Sequence, residues 1–256
     1  MPELSGVTVV VTRPVHQAEK LCRLIEAADG KALRFPVIDI RPPENPQQCQ
    51  VQLDRLADYD LAIFISSNAV DAAMVMLKTS RAWPMVLAIA AVGKATAQAI
   101  IKNNLPVPLV APEPFNSEAL LNLPELQKLD GKRILIFRGN GGRELLRNRL
   151  RERGAHVDYI ECYQRAVPKT DTGPLYVAWG QAHTMPIVVT SNQGLQNLVA
   201  MIDKEHQPVL FASPLLVISK RTASLSAKLG FTSTPVMATA ATDEAILVAL
   251  KTWAKT

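Results

Sequence analysis

The sequence predicts an α/β fold built on parallel sheets and carrying an internal duplication. Three observations carry that reading. Short apolar runs of strand length alternate with stretches whose apolar residues recur at helical spacing. One junction is written twice: Ile63-Phe64-Ile65-Ser66-Ser67-Asn68 and Val188-Val189-Thr190-Ser191-Asn192 each end an apolar run in small hydroxyl and amide side chains. A helical pattern follows both, through Ala69, Val70, Ala73, Met74 and Leu77 in one copy and Leu195, Leu198, Val199 and Ile202 in the other. The repetition then extends at a nearly constant offset. Asn68 and Asn192 lie 124 residues apart, Thr96 and Thr222 126, Ser117 and Asp243 126, and Gly6 and Gly131 125.

Taken in order, residues 7–11 read as a strand apolar on both faces, as in a parallel sheet. Arg13-Pro14 closes it, proline suiting the loop before a helix or its first turn. The next helix buries Leu21, Cys22, Ile25 and Ala28, and Asp29-Gly30 ends it through a left-handed cap. Residues 32–35 form a second strand. The proline-bounded piece 36–40 is extended and reads as a linker more than as core. Residues 47–56 form a short helix.

The strand at Ile63 and its helix follow, then a strand at 86–92 and a helix from Gly93 through Ile101. Residues 109–111 are a short strand, and Ser117 caps a helix through Leu121. Residues 134–137 are a strand, and Gly139-Asn140-Gly141-Gly142 turns into an arginine-rich helix ending at Gly154. These glycines are similar to a dinucleotide loop, but Glu144 stands where the third glycine belongs, so the stretch reads as an anion-tolerant turn. Residues 157–162 are a strand that Tyr163-Gln164-Arg165 leaves, and 168–174 is a loop. Strands at 187–190, 215–218 and 236–238 each precede a helix, the last turning Ala245, Ile246, Ala249, Leu250 and Trp253 inward.

Composition bounds the function. Apolar residues make up 48% of 256, enough for buried cores. The apolar run from Met85 to Val92 is 8 residues long, against the roughly 20 that span a membrane. Met1-Pro2-Glu3 lacks the basic start and apolar core of a signal peptide, so a cytoplasmic location is expected. Cys22, Cys49 and Cys162 show no paired spacing and read as free thiols. His16, His156, His183 and His206 form no metal-ligand pattern, so neither metal nor disulfide is expected. The net charge is +5, with Arg138, Arg143, Arg147, Arg149, Arg151 and Arg153 in one segment. Aromatic residues are only 5% and no nucleic-acid motif is present, so the basic balance points to a solvated helix face or to a field that draws in a small polyanion.

The candidate site lies at the strand-to-helix junctions. Ser and Asn accept the free N–H groups of a first helical turn. A capped helix start at the carboxyl edge of a sheet is also where open α/β folds hold anions. Ser66, Ser67, Asn68, Thr96, Ser191, Asn192 and Thr222 all sit at such junctions. Each reads either as a cap alone or as part of one ligand cleft. Arg13 and Arg138 end matching strands and read either as surface arginines or as partners of an acidic ligand.

Several fragments, in order and spacing, resemble the uroporphyrinogen-III synthase family over the whole chain. They are Thr12-Arg13-Pro14 with Gln17-Ala18, residues 64–70, Val92-Gly93 with Thr96-Ala97, and Ser117-Glu118-Ala119-Leu120-Leu121. Later come Arg138-Gly139 with Gly142-Arg143, Cys162-Tyr163-Gln164-Arg165, Ser191 with Gly194-Leu195, and Ser219 with Arg221-Thr222-Ala223. Ile65 departs from the pattern, where the family often has threonine, and leaves Ser66 and Ser67 to supply hydroxyls. The resemblance implies two flavodoxin-like parallel-sheet domains joined by a two-stranded linker. One would comprise residues 1–36 and 166–256 and the other 37–165, with linker strands near 36–40 and 159–165. Gly93, Ser219 and Arg221 join the substrate-binding candidates on these motifs.

The implied reaction is cyclisation of hydroxymethylbilane, a carboxylate-rich linear tetrapyrrole, with loss of water and inversion of the last pyrrole ring, in heme and siroheme biosynthesis. The implied chemistry passes through an azafulvene electrophile and a spiro intermediate and needs no cofactor. A transient contact with the preceding enzyme of the pathway is a further expectation, and neither nucleic acid nor membrane is expected as a partner. The family pattern makes Tyr163 an acid for the departing hydroxyl; the other reading is a tyrosine that only packs the linker. Cys162 alternates to the opposite face if the strand continues. Two other function classes stay open on the residues alone: a two-domain sensor or carrier for a small anion, and a nucleotide-dependent enzyme, which the incomplete glycine loop argues against.

Overall fold

The computed structural model describes residues 3–77, 83–181 and 185–255; Met1, Pro2 and His183 lie outside them. The chain divides into a unit of Met1–Asp39 with Ala166–Thr256 and a continuous unit of Ile40–Arg165. The first opens with β1 (Thr8–Val11), α1 (Val15–Ala27) and β2 (Lys31–Arg34). Strand β3 (Asp39–Arg41) leads into the continuous unit, with α2 (Pro46–Leu53), β4 (Leu61–Phe64), α3 (Ser67–Leu77), β5 (Ala88–Ala91) and α4 (Lys94–Lys102). That unit goes on through β6 (Leu109–Val110), α5 (Ser117–Leu121), β7 (Arg133–Gly139), α6 (Leu145–Glu152) and β8 (His156–Ala166). The chain then completes the first unit with α7 (Gly173–Gln181), β9 (Ile187–Val189), α8 (Asn192–Met201), α9 (Gln207–Ala212), β10 (Leu215–Val217), α10 (Lys220–Leu229), β11 (Val236–Met237) and α11 (Asp243–Trp253).

The discontinuous unit holds a five-stranded parallel sheet ordered β11-β10-β9-β1-β2. The continuous unit holds six strands ordered β3-β8-β7-β4-β5-β6, parallel from β8 to β6. Matched along the repeat, β1, β2, β9, β10 and β11 correspond to β7, β8, β4, β5 and β6, and the two sheet orders become the same. The first residues of these pairs lie 125, 125, 126, 127 and 127 positions apart. This is the flavodoxin-like 2-1-3-4-5 order, whose switch point falls between β1 and β9 in one unit and between β7 and β4 in the other. The continuous unit enters the common pattern at a different strand, so it is a cyclic permutation of the other.

Each sheet buries both faces. Along β4, Ala62 and Phe64 join a cluster with Ala69, Val70, Ala73 and Ile100, while Leu61 and Ile63 join another with Leu120, Leu146 and Leu150. The two-residue period of a strand thus feeds helices on opposite sides. In β1, Val10 packs with Ile187, Leu195 and Leu198, and Val9 and Val11 pack with Leu21, Ile25, Ile246 and Leu250. Full burial of one such side chain contributes about 1.5–3 kcal/mol before entropy is counted.

Several expectations are corrected. Val37, in the proline-bounded piece read as a linker more than as core, is a core residue, 0% exposed, and its carbonyl accepts from Asn197 Nδ2 at 2.8 Å. Prolines bound that stretch without keeping its side chains out of the apolar cluster. Tyr163, Gln164 and Arg165 do not leave the strand at residue 162: they belong to the 11-residue strand β8. Cys162 and Tyr163 do not face opposite ways. The register shifts between Arg138, opposite Glu161, and Gly139, opposite Tyr163, so both side chains enter one cluster, each 1% exposed. A bulge of this kind breaks the alternation by one residue. Helix α1 does end in a left-handed residue as expected, Asp29 at φ 63°, whereas α7 and α9 are additional to the expected helices.

Candidate active site

At the switch point of the continuous unit, the chain leaving β4 carries Ser66, and β7 ends at Gly139 and leaves through Asn140, Gly141 and Gly142. Ser66 Oγ accepts from the Ala69 N–H at 3.2 Å and so caps α3, as a serine in that place should. The same Oγ lies 3.1 Å from the phenol oxygen of Tyr163. Arg165 Nη2 donates to that phenol oxygen at 2.9 Å. The ring of Tyr163 reaches Ser66 across the end of β7. A Cβ on Gly139 would lie 2.6 Å from two of the ring carbons, so glycine is what admits the ring. Tyr163 itself is 1% exposed.

Arg138 builds the turn beside it. Its guanidinium, only 3% exposed, donates through Nε to the Gly139 carbonyl at 3.2 Å, through Nη1 to Glu144 at 3.0 Å, and through Nη2 to the Gly141 carbonyl. It also stacks over the Tyr159 ring, 4.3 Å from the centroid. Gly141 and Gly142 have φ of 64° and 113°, the left-handed region that favours glycine. Burial works against the charge of Glu144, but the hydrogen bond from Arg138 and the charges of Arg147 and Arg138 outweigh it and hold that carboxyl below its ordinary range. Asn140 Oδ1 accepts from the Arg165 N–H at 2.7 Å and fixes the end of β8.

Next to this turn is a cavity of about 270 Å³, lined in part by Ile65, Val92, Ser117, Arg138, Arg143 and Arg165. Arg143 is shared with Glu118 at 2.5 Å. A larger groove of about 730 Å³ between α2 and β8 is lined by Asn45, Gln48, Gln52, Asn140, Tyr163 and Gln164, among others. Helix α4 starts at Gly93, which has extended backbone, no side-chain cap and open space over its Cα. Ser67 and Asn68 open α3 and are partly exposed, whereas Thr96 in the first turn of α4 is 5% exposed. Burial foremost pushes the Cys162 thiol up to about 12, so it stays protonated at neutral pH.

The other switch point is built alike. Thr12 Oγ1 donates to the Val188 carbonyl at 2.7 Å, tying β1 to β9. Ser191 caps α8 by accepting from the Gly194 N–H at 3.0 Å, and Ser219 caps α10 by accepting from the Thr222 N–H at 3.1 Å. Thr222 Oγ1, on a residue 1% exposed, lies 2.9 Å from Asn192 Oδ1 and 2.8 Å from Ser219 Oγ. An amide oxygen only accepts. Thr222 therefore donates to Asn192 and accepts from Ser219, joining the starts of α8 and α10. Arg221 is exposed, and Arg13 is ion-paired with Asp243 in the first turn of α11, their side chains 13% and 14% exposed.

Within their own units, then, Ser66 meets Tyr163, and Asn192, Ser219 and Thr222 form one chain. Thr96 and Arg138 are turned into protein. Three participants escaped the sequence reading: Arg165, Gly139 and Asp243. Arg165 carried a signal, being two residues from Tyr163 on a strand and so on the same face.

Residues 19–247 match the family model described as Uroporphyrinogen-III synthase HemD. The chain is 37% identical over 248 residues to the uroporphyrinogen-III synthase of Escherichia coli strain K12, covering 95% of this chain and 100% of that one. To that of Synechococcus elongatus it is 30% identical over 203 residues, covering 78% and 76%. Its fold is similar to the crystal structure of a mutant uroporphyrinogen III synthase from Thermus thermophilus, with TM-score 0.67, 20% identity and 98% of each chain covered. A uroporphyrinogen-III synthetase from Helicobacter pylori matches with TM-score 0.64 and 15% identity, covering 96% of this chain and 99% of that one.

Proposed function

The chain belongs to the uroporphyrinogen-III synthase family, and from that premise we propose that it cyclises hydroxymethylbilane, releasing water and inverting the terminal pyrrole ring. The observation that carries this reading is the relationship to the Escherichia coli enzyme over that enzyme's full length. In class the enzyme is a lyase that works without metal or cofactor, acting in the cytoplasm and taking its substrate from the preceding enzyme of the pathway by transient contact.

The site geometry supports the chemistry. The substrate is a flexible polyanion, and the carboxyl edges of both sheets present capped helix starts. An exposed helix end contributes about 0.3–1 kcal/mol toward an anion. Ser66, Ser67, Asn68, Gly93, Ser191, Asn192, Ser219 and Arg221 stand at these edges and are the proposed contacts to the acid groups. Arg13 is a further proposed contact, once Asp243 releases it. Thr96, Thr222 and Arg138, being buried, serve by shaping the edges. Departure of the hydroxyl needs a proton, and Tyr163 is its proposed source. Holding the chain folded on itself supplies the steering to the substituted ring carbon.

Hydroxymethylbilane, added to the purified protein, tests this when the porphyrinogen isomers are oxidised and separated. Type III in excess over type I is expected; type I alone, the spontaneous product, overturns the reading. Protein dialysed against chelator is expected to keep its full rate, and activity that returns only with added metal overturns the metal-free assignment.

A further inference from the structure

The geometry points to Ser66, rather than the phenol of Tyr163, as the group that hands the proton to the departing hydroxyl, with Tyr163 behind it as the source and Arg165 setting the direction of the relay. This rests on the cyclisation reading above. An arginine side chain donates and never accepts. Arg165 Nη2, 2.9 Å away, therefore occupies one acceptor position of the phenol oxygen. The other partner among the described residues is Ser66 Oγ at 3.1 Å. If Ser66 donated across that contact, the phenolic hydrogen of a residue 1% exposed would be left without an acceptor. A buried donor left unpaired is the costlier arrangement. The phenol thus donates to Ser66. Ser66 Oγ then accepts twice, from Tyr163 and from the Ala69 N–H at 3.2 Å, and its own hydrogen, with no acceptor among the described residues, is left for a bound group. Ser66 is partly exposed, whereas Tyr163 is 1% exposed.

The step balances. The carbon–oxygen bond of the hydroxymethyl group breaks with its electron pair on oxygen, and the Ser66 proton joins that oxygen to give water. Ser66 takes the phenolic proton, and the phenolate formed stays beside the Arg165 guanidinium, a charge-assisted contact. The pyrrole nitrogen lone pair stabilises the methylene carbon as an azafulvenium cation. After ring closure the terminal ring loses a proton from carbon, which returns through Ser66 to Tyr163.

Ser66 is the catalytic residue in this scheme, and Tyr163 and Arg165 are positioning residues. Single-turnover rates and steady-state constants for Ser66→Ala, Tyr163→Phe, the double variant and Ser66→Thr test it. Each of the first two is expected to slow turnover about tenfold to a hundredfold with little change in KM. The double variant is expected to be no slower than the slower single, because the two act as one unit. Ser66→Thr, which keeps the hydroxyl and the cap, restores most of the rate. Arg165→Met lowers kcat rather than KM, and Arg165→Lys restores part of it. Ser66→Ala at the parent's rate overturns the relay, as do effects that multiply in the double variant or a Ser66→Thr as slow as Ser66→Ala. A parent that forms only type I overturns the cyclisation reading instead, so the two failures are distinguishable.

Discussion

Tyr163 occupies the space that a side chain on Gly139 would need. A methyl group there would stand 2.6 Å from two of the ring carbons. The absence of one carbon atom at the end of β7 is what lets a phenol rooted on β8 reach the serine that follows β4.

Gly139→Ala is therefore expected to cost about 1–3 kcal/mol of stability, the usual range for overpacking. It is also expected to slow turnover at least as much as Tyr163→Phe, since the whole ring is displaced. Adding Tyr163→Leu should return most of the melting temperature and none of the rate. Thermal denaturation and turnover on the three variants check this; unchanged stability in Gly139→Ala would mean that the ring yields freely.

Arg138 is expected to matter for stability more than for affinity. Arg138→Ala removes the donors that hold the Gly139 and Gly141 carbonyls and the stack on Tyr159, at a cost of about 2–4 kcal/mol. Glu144→Gln removes only a partner whose side chain is 43% exposed, and should cost less than about 1 kcal/mol. Urea denaturation orders the two; the reverse order would remove Arg138 from its role in the turn.

Arg13 should report on the charge of the substrate. Arg13→Ala is expected to raise KM more at low ionic strength than at high, because salt screens attraction between partly exposed charges. Asp243→Asn releases Arg13 from its ion pair and should lower KM at low salt. Michaelis constants equal to the parent's at every salt concentration, in both variants, would place Arg13 outside the binding surface.

Acid stability should carry the signature of Asp60. Its carboxylate accepts from Lys132 Nζ and from the Arg133 N–H, each at 2.8 Å. The Lys132 hydrogen bond first, and the Arg133 N–H next, hold its carboxyl below the ordinary range. A folded-state value below the unfolded one stabilises above the ordinary carboxylate value near pH ~4, and that contribution is lost as pH falls through the depressed value. The side chain is 41% exposed, so the effect is about 0.5 kcal/mol after screening. The melting temperatures of Asp60→Asn and parent should differ at neutral pH and converge below the carboxylate range, with turnover at neutral pH unchanged. A constant difference at all pH values would mean that the ionised form has no part in it.

Much of this was legible in the chain for local reasons. Ser66, Ser191 and Ser219 cap the helices that they precede, because the acceptor and the amide it satisfies are three residues apart. The nearly constant offset read along the chain is one that the matched strands of the two sheets also keep. What was not legible is non-local. Nothing near Gly139 announces a ring from a residue 24 positions away, and nothing near Cys162 announces the bulge that turns it to the same side as Tyr163. Val37 looked like part of a linker because prolines bound the piece 36–40, yet an apolar cluster built mostly from residues after 170 takes it in. Thr96 and Thr222 looked like ligand contacts because the type of residue that opens a helix does not say which way its hydroxyl turns.

The interruption of one unit by the other sets a timetable. The ribosome delivers β1 and β2 early, but β9, which covers the free edge of β1, begins at Ile187. At about 5–20 residues per second, the stretch between Arg34 and Ile187 takes about 8 to 30 s to synthesise. Throughout that interval β1 stands with an open, apolar edge of the kind that recruits other chains. The continuous unit emerges whole within the same interval and needs no later residue to close its own sheet. Strand β1, made before every other strand among the described residues, is thus among the last to be completed, and a cell short of chaperones at the ribosome should lose this protein through Thr8 to Val11 before it loses any of the chemistry.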